Sequence, residues 1–471
     1  MKIEQLYTDC LAHGAYYIES NGVAAIIDPL RDVTAYVNRA LQDNATIKYV
    51  LETHFHADFV SGHLDLAAAT GATIVYGPGA QPAFPAYIAA DGELLTLGDI
   101  QIKVLHTPGH TMESCCYLLL DEAGKAIALF SGDTLFIGDV GRPDLAQEAS
   151  GKTKEELAGI LFDSLRSKIM PLPLDIAIYP AHGAGSACGK MISHQRTDTL
   201  EGQLQTNYAL RPDMTRQAFI KAVTAGLTPP PAYFPLNVRM NKQGYENVED
   251  VISRGMRPLS PAAFEDLAAK TGAVILDTRG PEVFIQAFVP GAINIGLDGN
   301  FAPWAGTLIP GGQQPILFIA DEGREKEVVT RLARIGFDHT IGYLKGGVTA
   351  WKGSGRSVDD IVSICPDELA DRQAWIPVNL LDVRRRSEYA SEHVYGAASM
   401  PLEYINEHMA TLDKKQLYYV HCAGGYRSVI FISIMRTRGY HNLVDVRGGV
   451  KGMKDSGRFQ LTDHYIPAGK L

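Results

Sequence analysis

The second half of the chain contains an internal repeat, and this repeat limits what that half can fold into. Asp277-Thr-Arg279 matches Asp382-Val-Arg384, which lies 105 positions later. Gly346-Gly-Val348 matches Gly448-Gly-Val450, 102 positions later, and the matches keep the same order along the chain. Matches at a near-constant offset are the sequence signature of a duplicated structural unit. We therefore predict two modules of one fold, each of about 100 residues.

Each copy begins with a proline at the first helical position, after Ser260 in one and after Cys365 in the other. Apolar runs and helical patterns then alternate, as they do in α/β units with a parallel sheet. We predict a larger first domain over residues 1–250, a first module over residues 251–357 and a second module over residues 358–471. Three domains also agree with the length of the chain, at about 150 residues per domain.

Short β-rich runs dominate the first domain, and each ends at a Gly, Pro, His or Asp turn. Helical patterns follow at Thr153–Glu156, which has the spacing of a capping box, and at Ser193–Leu210. The proline-rich run Thr228–Pro235 cannot be helical, so we predict a stiff connector there. The predicted strands are Ala24–Asp28, Ile47–Leu51, Thr73–Tyr76, Ile100–Leu105, Ile127–Ser131 and Asp175–Tyr179.

The composition narrows the classes of function. A formal net charge of −10, without a cluster of Lys and Arg, disfavours a nucleic-acid partner. The chain has neither an apolar signal region at its start nor a run of about 18 apolar residues, so we predict a cytoplasmic protein without membrane segments. Six cysteines in 471 residues, without a Cys-x-x-Cys pair, predict free thiols instead of a disulfide framework or a structural zinc site.

Potential metal ligands gather at the ends of the predicted strands of the first domain. A lone pair of histidines is weak evidence for a metal. Here a His-x-His-x-Asp run follows one strand, and a further His or Asp follows each of three other strands. Strand ends in a layered α/β fold can direct such side chains at one point. Six residues make up this constellation: His54, His56, Asp58, His110, Asp133 and His182.

This constellation resembles the metallo-β-lactamase superfamily over the first domain. The resemblance implies an α/β fold in which two sheets are stacked between helices, an αββα sandwich, with metal at one edge. In the two-zinc members the first motif reads His-x-His-x-Asp-His, but its last position here is Phe59. Because a phenyl ring offers no lone pair, we predict one metal ion instead of two.

Within that superfamily the sequence is similar to the persulfide dioxygenases. The similarity implies one Fe(II) per chain, held by His56, His110 and Asp133, a set of two imidazoles and one carboxylate. It also implies residues that orient these ligands or contact the substrate: His54, Asp58, His182 and Arg142. Cys188 joins this set because it is close in sequence to His182. For the arginine of this set, an ion pair with Asp144 that fixes the loop is the alternative, and the cysteine is a candidate for relaying sulfur.

The second module carries the run Cys422-Ala-Gly-Gly-Tyr-Arg427-Ser between a predicted strand and an apolar helix. Backbone N–H groups at such a helix start can cradle an anion, and Arg427 adds positive charge that suits sulfite or thiosulfate. The run resembles the active loop of the rhodaneses, which carry sulfur as a cysteine persulfide. In the first module Ala320 and Glu325 stand at the positions of the cysteine and the arginine. The resemblance therefore implies an inactive first rhodanese-like domain and a catalytic second one.

Together these resemblances imply a persulfide dioxygenase with thiosulfate sulfurtransferase activity, acting in sulfide detoxification. Its substrates would be O2 and a persulfide of glutathione, coenzyme A or a similar small thiol, and its products would be the thiol and sulfite. A persulfide on Cys422 would interconvert sulfite and thiosulfate. Two alternatives stay open: a zinc-dependent thioesterase similar to the type II glyoxalases, and a sulfur-relay protein that does not oxidise. A homo-oligomer is expected from base rates alone.

Overall fold

The computed structural model describes residues 1–462 of the chain. These residues form two compact units. The first unit contains residues 1–251 together with residues 330–338, and the second contains the intervening segment and the rest of the chain. The last part of the predicted third domain, residues 463–471, lies outside the described residues. The predicted domain boundaries stay predictions.

Two six-stranded sheets form the framework of the first unit. The first sheet contains β1 (Lys2–Thr8), β2 (His13–Ser20), β3 (Val23–Ile27), β4 (Thr46–Leu51), β5 (Thr73–Tyr76) and β6 (Tyr87–Ile88). The second contains β7 (Leu94–Leu97), β8 (Ile100–His106), β9 (Cys115–Leu120), β10 (Ala126–Gly132), β11 (Ala177–Pro180) and β12 (Asp198–Thr199). The first sheet follows chain order from β1 to β6, and the second has the order β12-β11-β10-β9-β8-β7.

Eight α-helices begin within residues 1–251. They are α1 (Thr34–Gln42), α2 (His63–Thr70), α3 (Gln147–Ser150), α4 (Lys154–Ser164), α5 (Leu200–Thr206), α6 (Arg216–Thr224), α7 (Phe234–Gln243) and α8 (Val248–Gly255). Along β2, Tyr16 and Ile18 belong to the apolar cluster between the sheets, whereas Ala15 and Tyr17 belong to the cluster under α1 and α2. A third cluster packs the second sheet against α4 and α6. These layers confirm the predicted αββα sandwich.

Two five-stranded parallel sheets form the second unit. One contains β13 (Pro258–Leu259), β14 (Val274–Asp277), β15 (Ile293–Asn294), β16 (Ile316–Ile319) and β17 (Thr340–Leu344). The other contains β18 (Ser363–Ile364), β19 (Asn379–Asp382), β20 (Ala398–Ser399), β21 (Tyr418–His421) and β22 (Leu443–Val446). The strand orders are β13-β17-β16-β14-β15 and β18-β22-β21-β19-β20, so the repeat does encode one topology twice.

Five α-helices belong to each of these sheets within the described residues. Beside the first sheet are α9 (Pro261–Thr271), α10 (Pro281–Phe284), α11 (Phe301–Leu308), α12 (Glu325–Ala333) and α13 (Gly347–Gly353). Beside the second are α14 (Pro366–Gln373), α15 (Arg386–Ser391), α16 (Ile405–His408), α17 (Tyr426–Thr437) and α18 (Gly449–Ser456). As predicted, α9 and α14 begin with proline, and Ser260 and Cys365 cap them. Over residues 1–462 no helix combines the length and the hydropathy that crossing a bilayer requires.

The predicted elements of the first domain agree with the structure except in two places. All six predicted strands are present within two residues of their predicted ends, and the capping box at Thr153–Glu156 is formed. The helix predicted over Ser193–Leu210 is wrong, because Asp198–Thr199 pairs with β11 and only the next seven residues are α-helical. The connector is not helix-free either, since Phe234 begins α7 with a proline in its first turn, where no N–H donor is needed.

Residues 330–338 pack within the first unit although they lie inside the first repeat copy. The Arg334 guanidinium donates to both carboxylate oxygens of Asp32, at 2.9 and 2.8 Å. The Arg334 carbonyl oxygen accepts a hydrogen bond from Val60 N at 2.7 Å. Val60 belongs to the loop that follows β4. This segment therefore stabilises the loop after β4, which contains the candidate metal ligands His54, His56 and Asp58.

Candidate metal centre and thiol loop

Three of the candidate metal ligands form one compact group in the loops that follow β4, β8 and β10. His110 Nε2 lies 3.4 Å from Asp133 Oδ2, and His54 Nε2 lies 3.8 Å from the same oxygen. One donor atom from each residue lies within 4.8 Å of the other two, and all three side chains are buried. Two imidazoles and one carboxylate thus share one small volume.

A second group lies beside the first. It contains His56, Asp58 and His182, whose donor atoms also lie within 4.8 Å of one another. His182 Nε2 is 3.4 Å from Asp58 Oδ2 and 3.5 Å from Asp133 Oδ1. Asp133 therefore stands between the two groups, with one carboxylate oxygen toward each.

At one position the structure groups the predicted ligands differently from the triad predicted from the sequence. His54, and not His56, is the histidine that groups with His110 and Asp133. The reason is a partner that sequence position does not reveal, because His56 Nε2 lies 3.1 Å from Asp28 Oδ1. Burial lowers the pKa of His56 and the Asp28 carboxylate raises it, and the net result is a pKa of about 9. An acidic neighbour from the end of β3 thus holds this ring toward a different side of the loop.

Hydrogen bonds to the far nitrogen of each ring orient the two histidines of the first group. His54 Nδ1 lies 3.0 Å from Thr53 Oγ1, and His110 Nδ1 lies 2.9 Å from the Arg142 carbonyl oxygen. Such contacts fix the tautomer and leave Nε2 for a metal. A Cβ atom on Gly141 would lie 2.9 Å from His110 Nδ1 and 2.0 Å from a backbone oxygen, so only glycine lets this loop approach so closely.

The donor set of this site fits a metal ion. Among the described residues, neither carboxylate oxygen of Asp133 has a hydrogen-bond partner, and the same is true of His182 Nε2 and Asp58 Oδ1. Buried polar atoms without a partner are costly, and a cation would satisfy them. Burial and the neighbouring imidazoles lower the pKa of His54 well below its ordinary value, so its ring is neutral and can offer a lone pair.

A phenyl ring packs against the second group. The Phe59 ring centroid lies 4.3 Å from that of His56 and 4.2 Å from that of His13. The second group thus has an apolar ring at the position where the two-zinc motif has a histidine. Sequence reasoning missed His13, whose ring nitrogens are buried without a hydrogen-bond partner among residues 1–462. No local pattern marks it, because it reaches the site by pairing with His182 from the other sheet.

The Arg142 guanidinium donates hydrogen bonds to three neighbouring residues of the first unit. Its Nε and Nη2 donate to the two carboxylate oxygens of Asp144, both at 2.7 Å. Its Nη1 and Nη2 also donate to the carbonyl oxygens of Ala187, at 3.1 Å, and Thr228, at 2.6 Å. This is the geometry of the loop-fixing ion pair with Asp144, and a role of Arg142 in substrate binding stays a prediction.

Cys188 lies at the edge of the candidate metal site. Its sulfur atom, one oxygen of Asp133 and one nitrogen of His182 lie within 4.8 Å of one another. The residue is buried, and burial together with the charges of Asp58 and Asp133 raises the pKa of its thiol well above the ordinary value. The structure thus brings the predicted relay cysteine next to both groups of metal ligands.

Cys422 occupies the predicted loop between β21 and α17 in the second unit. Its Sγ accepts a hydrogen bond from Gly425 N at 3.1 Å and lies 3.8 Å from Ser428 Oγ. Ser428 Oγ donates in turn to Asp445 Oδ1 at 2.7 Å. The residue is only 1% exposed, so its sulfur faces the loop that surrounds it.

Arg427, which the sequence predicts to supply positive charge for sulfite or thiosulfate, pairs with a carboxylate. It donates to both carboxylate oxygens of Glu388, at 2.6 and 2.9 Å. Burial lowers the pKa of the guanidinium, but the Glu388 contact outweighs that effect and raises it. Sequence reasoning missed Glu388 because it lies 39 residues before its partner, on α15. The charge predicted to hold sulfite or thiosulfate is therefore already paired with a carboxylate.

The matching loop of the first module follows β16. Ala320 stands directly after that strand, and Glu325 begins α12. Arg324 forms ion pairs with Glu327, at 2.8 Å, and with Asp298, at 2.9 Å. None of these side chains is a thiol, so this loop lacks the nucleophile that carries a persulfide.

Comparison with known proteins agrees with this architecture. Residues 8–183 match the family model of the metallo-beta-lactamase superfamily. A metallo-beta-lactamase from Staphylococcus aureus subsp. aureus COL is 32% identical with a TM-score of 0.63, and the match covers 73% of this chain and 98% of that one. The chain belongs to the metallo-beta-lactamase superfamily. Residues 260–354 and 366–456 match the rhodanese-like domain model, so this member of the superfamily carries two rhodanese-like domains.

Curated relatives of this superfamily member match about a third of its length. The cytoplasmic hydroxyacylglutathione hydrolase of Arabidopsis thaliana is 34% identical over 187 residues, which are 39% of this chain and 67% of the relative. The hydroxyacylglutathione hydrolase of Rhodospirillum rubrum is 31% identical over 166 residues, which are 35% of this chain and 58% of the relative. The chain thus spans about three fifths to two thirds of the relatives that it matches.

Proposed function

We propose that this protein oxidises the outer sulfur of a small-thiol persulfide with O2 at one iron ion, and transfers sulfur at Cys422. The reaction is RSSH + O2 + H2O → RSH + SO3²⁻ + 2 H⁺. The observation that carries the proposal is the buried group of His54, His110 and Asp133. Two imidazoles and one carboxylate are the protein ligands of the non-haem Fe(II) oxygenases.

The chain contributes a fixed and buried ligand set to this reaction. When bound, Fe(II) would supply open coordination positions for O2 and for the persulfide sulfur. Thr53 Oγ1 and the Arg142 carbonyl oxygen hold the two imidazole rings in place. The ligand side chains are buried, so packing also holds them in place. The protein therefore acts mainly by orientation.

Sulfur transfer at Cys422 needs no external oxidant or reductant. Sulfite attacks the outer sulfur of the persulfide Cys422–S–S⁻, a new S–S bond forms and the old one breaks. Thiosulfate leaves, and the electron pair of the broken bond stays on Cys422 as the thiolate. Gly425 N, which donates to Sγ at 3.1 Å, stabilises that thiolate. The reverse reaction would load Cys422 from thiosulfate.

Oxygen uptake by iron-loaded protein tests the oxidation. With the persulfides of glutathione and coenzyme A as substrates, we expect one sulfite, or one thiosulfate, per O2 consumed. A matched pair of variants tests the ligand set: His54→Ala should lose iron, whereas His56→Ala should keep more of it. Stoichiometric zinc after anaerobic purification, with no O2 uptake, would contradict the proposal.

A zinc-dependent thioesterase is the second candidate, and the names of the curated relatives favour it. Such an enzyme would use a metal-bound hydroxide to attack a thioester. Phe59 argues against a second metal ion, and the Cys422 loop argues for the chemistry of sulfane sulfur instead. Hydrolysis of a hydroxyacylglutathione by zinc-loaded protein, without O2 uptake, would select the thioesterase.

A sulfur relay without oxidation is the remaining alternative from the sequence. It predicts that His110→Ala leaves all sulfur handling unchanged, whereas the proposed oxidation predicts loss of both iron and sulfite production. We place the proposed reaction in the cytoplasm, where small thiols are kept reduced and can carry persulfide sulfur.

A further inference from the structure

The catalytic loop of the second module contacts the first module through Tyr426. This residue begins α17, four positions after Cys422, and its hydroxyl donates to the Gly296 carbonyl oxygen at 2.7 Å. Gly296 follows β15, at the edge of the first module's sheet. A Cβ atom on Gly299 would lie 2.4 Å from the Tyr426 ring, so the ring rests directly against this backbone.

A second hydrogen bond joins the same two segments farther along α17. Ser433 Oγ accepts a hydrogen bond from Asn294 N at 2.9 Å, in a buried position. The Asn294 side chain donates to the carbonyl oxygens of Asp277 and Arg279, at 3.0 and 2.9 Å. The surface that receives α17 is therefore fixed within the first module. Only one of the two contacts lies beside the thiol loop.

The thiol loop is also held by residues of the second module, where Ser428 Oγ donates to the Gly425 carbonyl oxygen and Lys451 N donates to the Ala423 carbonyl oxygen, both at 3.1 Å. Within its own module, Val450 N donates to the Cys422 carbonyl oxygen at 2.8 Å. The next part of the loop contains Gly424 and Gly425, which have no side chain to pack, and Gly425 has a φ of 106°. Yet Gly425 supplies the N–H that contacts Sγ. The residue that follows Gly425 is Tyr426.

We propose that Tyr426 is a positioning residue, which uses the silent first module to hold the Gly425 N–H against the sulfur of Cys422. The inference rests on the proposed sulfur transfer and gives the first module a role in it. Cys422 remains the nucleophile. The Tyr426 hydroxyl and the backbone at Gly296 and Gly299 fix the start of α17 and hence the last turn of the loop.

Tyr426→Phe tests this role, because it keeps the ring and removes the hydrogen bond. For transfer from thiosulfate to cyanide we expect kcat to fall about fivefold, the effect of one lost hydrogen bond, with KM for thiosulfate unchanged within about twofold. Alkylation of Cys422 by iodoacetamide at fixed pH should slow by a similar factor. Tyr395→Phe is the matched control, since that side chain is 68% exposed, and it should match the wild type.

Ser433→Ala separates positioning from simple attachment of the modules. It removes the other hydrogen bond between the same segments, away from the thiol loop. We expect it to lower the free energy of unfolding while kcat per folded molecule stays at the wild-type value. If Ser433→Ala and Tyr426→Phe lower kcat equally, attachment explains the effect and the positioning role is wrong.

Gly299→Ala approaches the same contact from the first module. The new methyl group would displace the Tyr426 ring, so kcat should fall although the change lies outside the catalytic module. Gly353→Ala, in the same module, has nothing within 4 Å of the added carbon and should leave kcat unchanged. Wild-type kcat in both Tyr426→Phe and Gly299→Ala would overturn the inference. Absence of transfer in the wild type would contradict the proposed function instead, and the alkylation rates would still decide the positioning role.

Discussion

The two rhodanese-like modules place the same buried ion pair at the same point of the same sheet. Asp277 ends β14 and Asp382 ends β19, and each carboxylate receives Arg Nη2 at 2.6 Å, from Arg279 and Arg384 respectively. In both modules the arginine also donates to a carbonyl oxygen eight residues farther on. These pairs fasten a strand end to the segment that follows it, which is a task of the fold.

The loops that should perform chemistry are the places where the modules differ. Where the second module has Cys422, the first has Ala320, and where the second has Glu388, the first has Val283. The duplication has thus kept the residues that hold the sheet and has not kept those that would carry sulfur. Fold and chemistry depend on separate residues in this architecture.

The largest effect that this comparison predicts is the loss of sulfur transfer in Cys422→Ser. Transfer from thiosulfate to cyanide should fall by more than about a thousandfold, because a hydroxyl cannot carry the persulfide. With persulfide substrate, O2 uptake should continue while the product shifts from thiosulfate to sulfite. Cys365→Ser in the same module is the control and should retain transfer. Thiosulfate formation at the normal rate in Cys422→Ser would show that the two activities are not coupled.

The next effect concerns stability and should be equal in both modules. Asp277→Ala and Asp382→Ala each leave a mostly buried arginine without its carboxylate, which costs about 3–5 kcal/mol of the free energy of unfolding. Urea unfolding followed by circular dichroism measures both. A much smaller cost for Asp277→Ala than for Asp382→Ala would mean that the first module does not depend on the shared ion pair.

The ion pair of Glu388 and Arg427, which only the second module has, should make a smaller contribution to the free energy of unfolding, and this contribution should depend on pH. Burial raises the pKa of Glu388, but the contact with Arg427 outweighs burial and holds this pKa below the ordinary 4.5. The pair therefore contributes its full stability above pH 4.5 and loses it as the pH falls through the lowered pKa. At pH 7 Glu388→Gln should cost about 1 kcal/mol, and the difference from wild type should vanish in acid.

Two comparisons check that pH dependence. Glu407→Gln alters a carboxylate on the exposed side of α16 and should leave the free energy of unfolding unchanged at pH 7. Val283→Glu in the first module supplies the missing carboxylate but meets no arginine at the position of Arg427, so it should not gain stability. A cost of Glu388→Gln that persists below pH 3 would mean that packing, and not charge, stabilises the pair.

Much of the fold could be predicted because its signals are local. The run Thr73–Tyr76 and the capping box at Thr153–Glu156 each have a local sequence pattern, and the offset repeat alone predicts that both modules share one topology. The helix predicted over Ser193–Leu210 failed for a non-local reason. Its first part joins a strand whose partner residues lie 20 and 22 positions earlier in the chain, and a helical pattern contains no signal for such a pairing.

The site could be predicted by residue type but not by orientation. His54 and His56 lie two positions apart in one loop, and their roles are separated by Thr53 and by Asp28, which arrives from another strand. In the same way, Glu388 meets Arg427 only after two helices have packed together. A position at the end of a strand therefore indicates which residues lie close together in the site. Contacts with residues distant in sequence decide which ring nitrogen or which charged group faces the site.

The smallest predicted effect concerns a cysteine introduced into the first module, which should not restore sulfur transfer. In a Cys422→Ser background, Ala320→Cys combined with Glu325→Arg should give no transfer above that background. The new arginine would have Val283 opposite it in place of a carboxylate. In the first module, Arg324 stands at the position that Tyr426 has in the second module, and it is paired with Glu327 and Asp298. Thiocyanate formation by this variant would mean that the loop residues alone suffice, and that the positioning contact with a neighbouring module is dispensable.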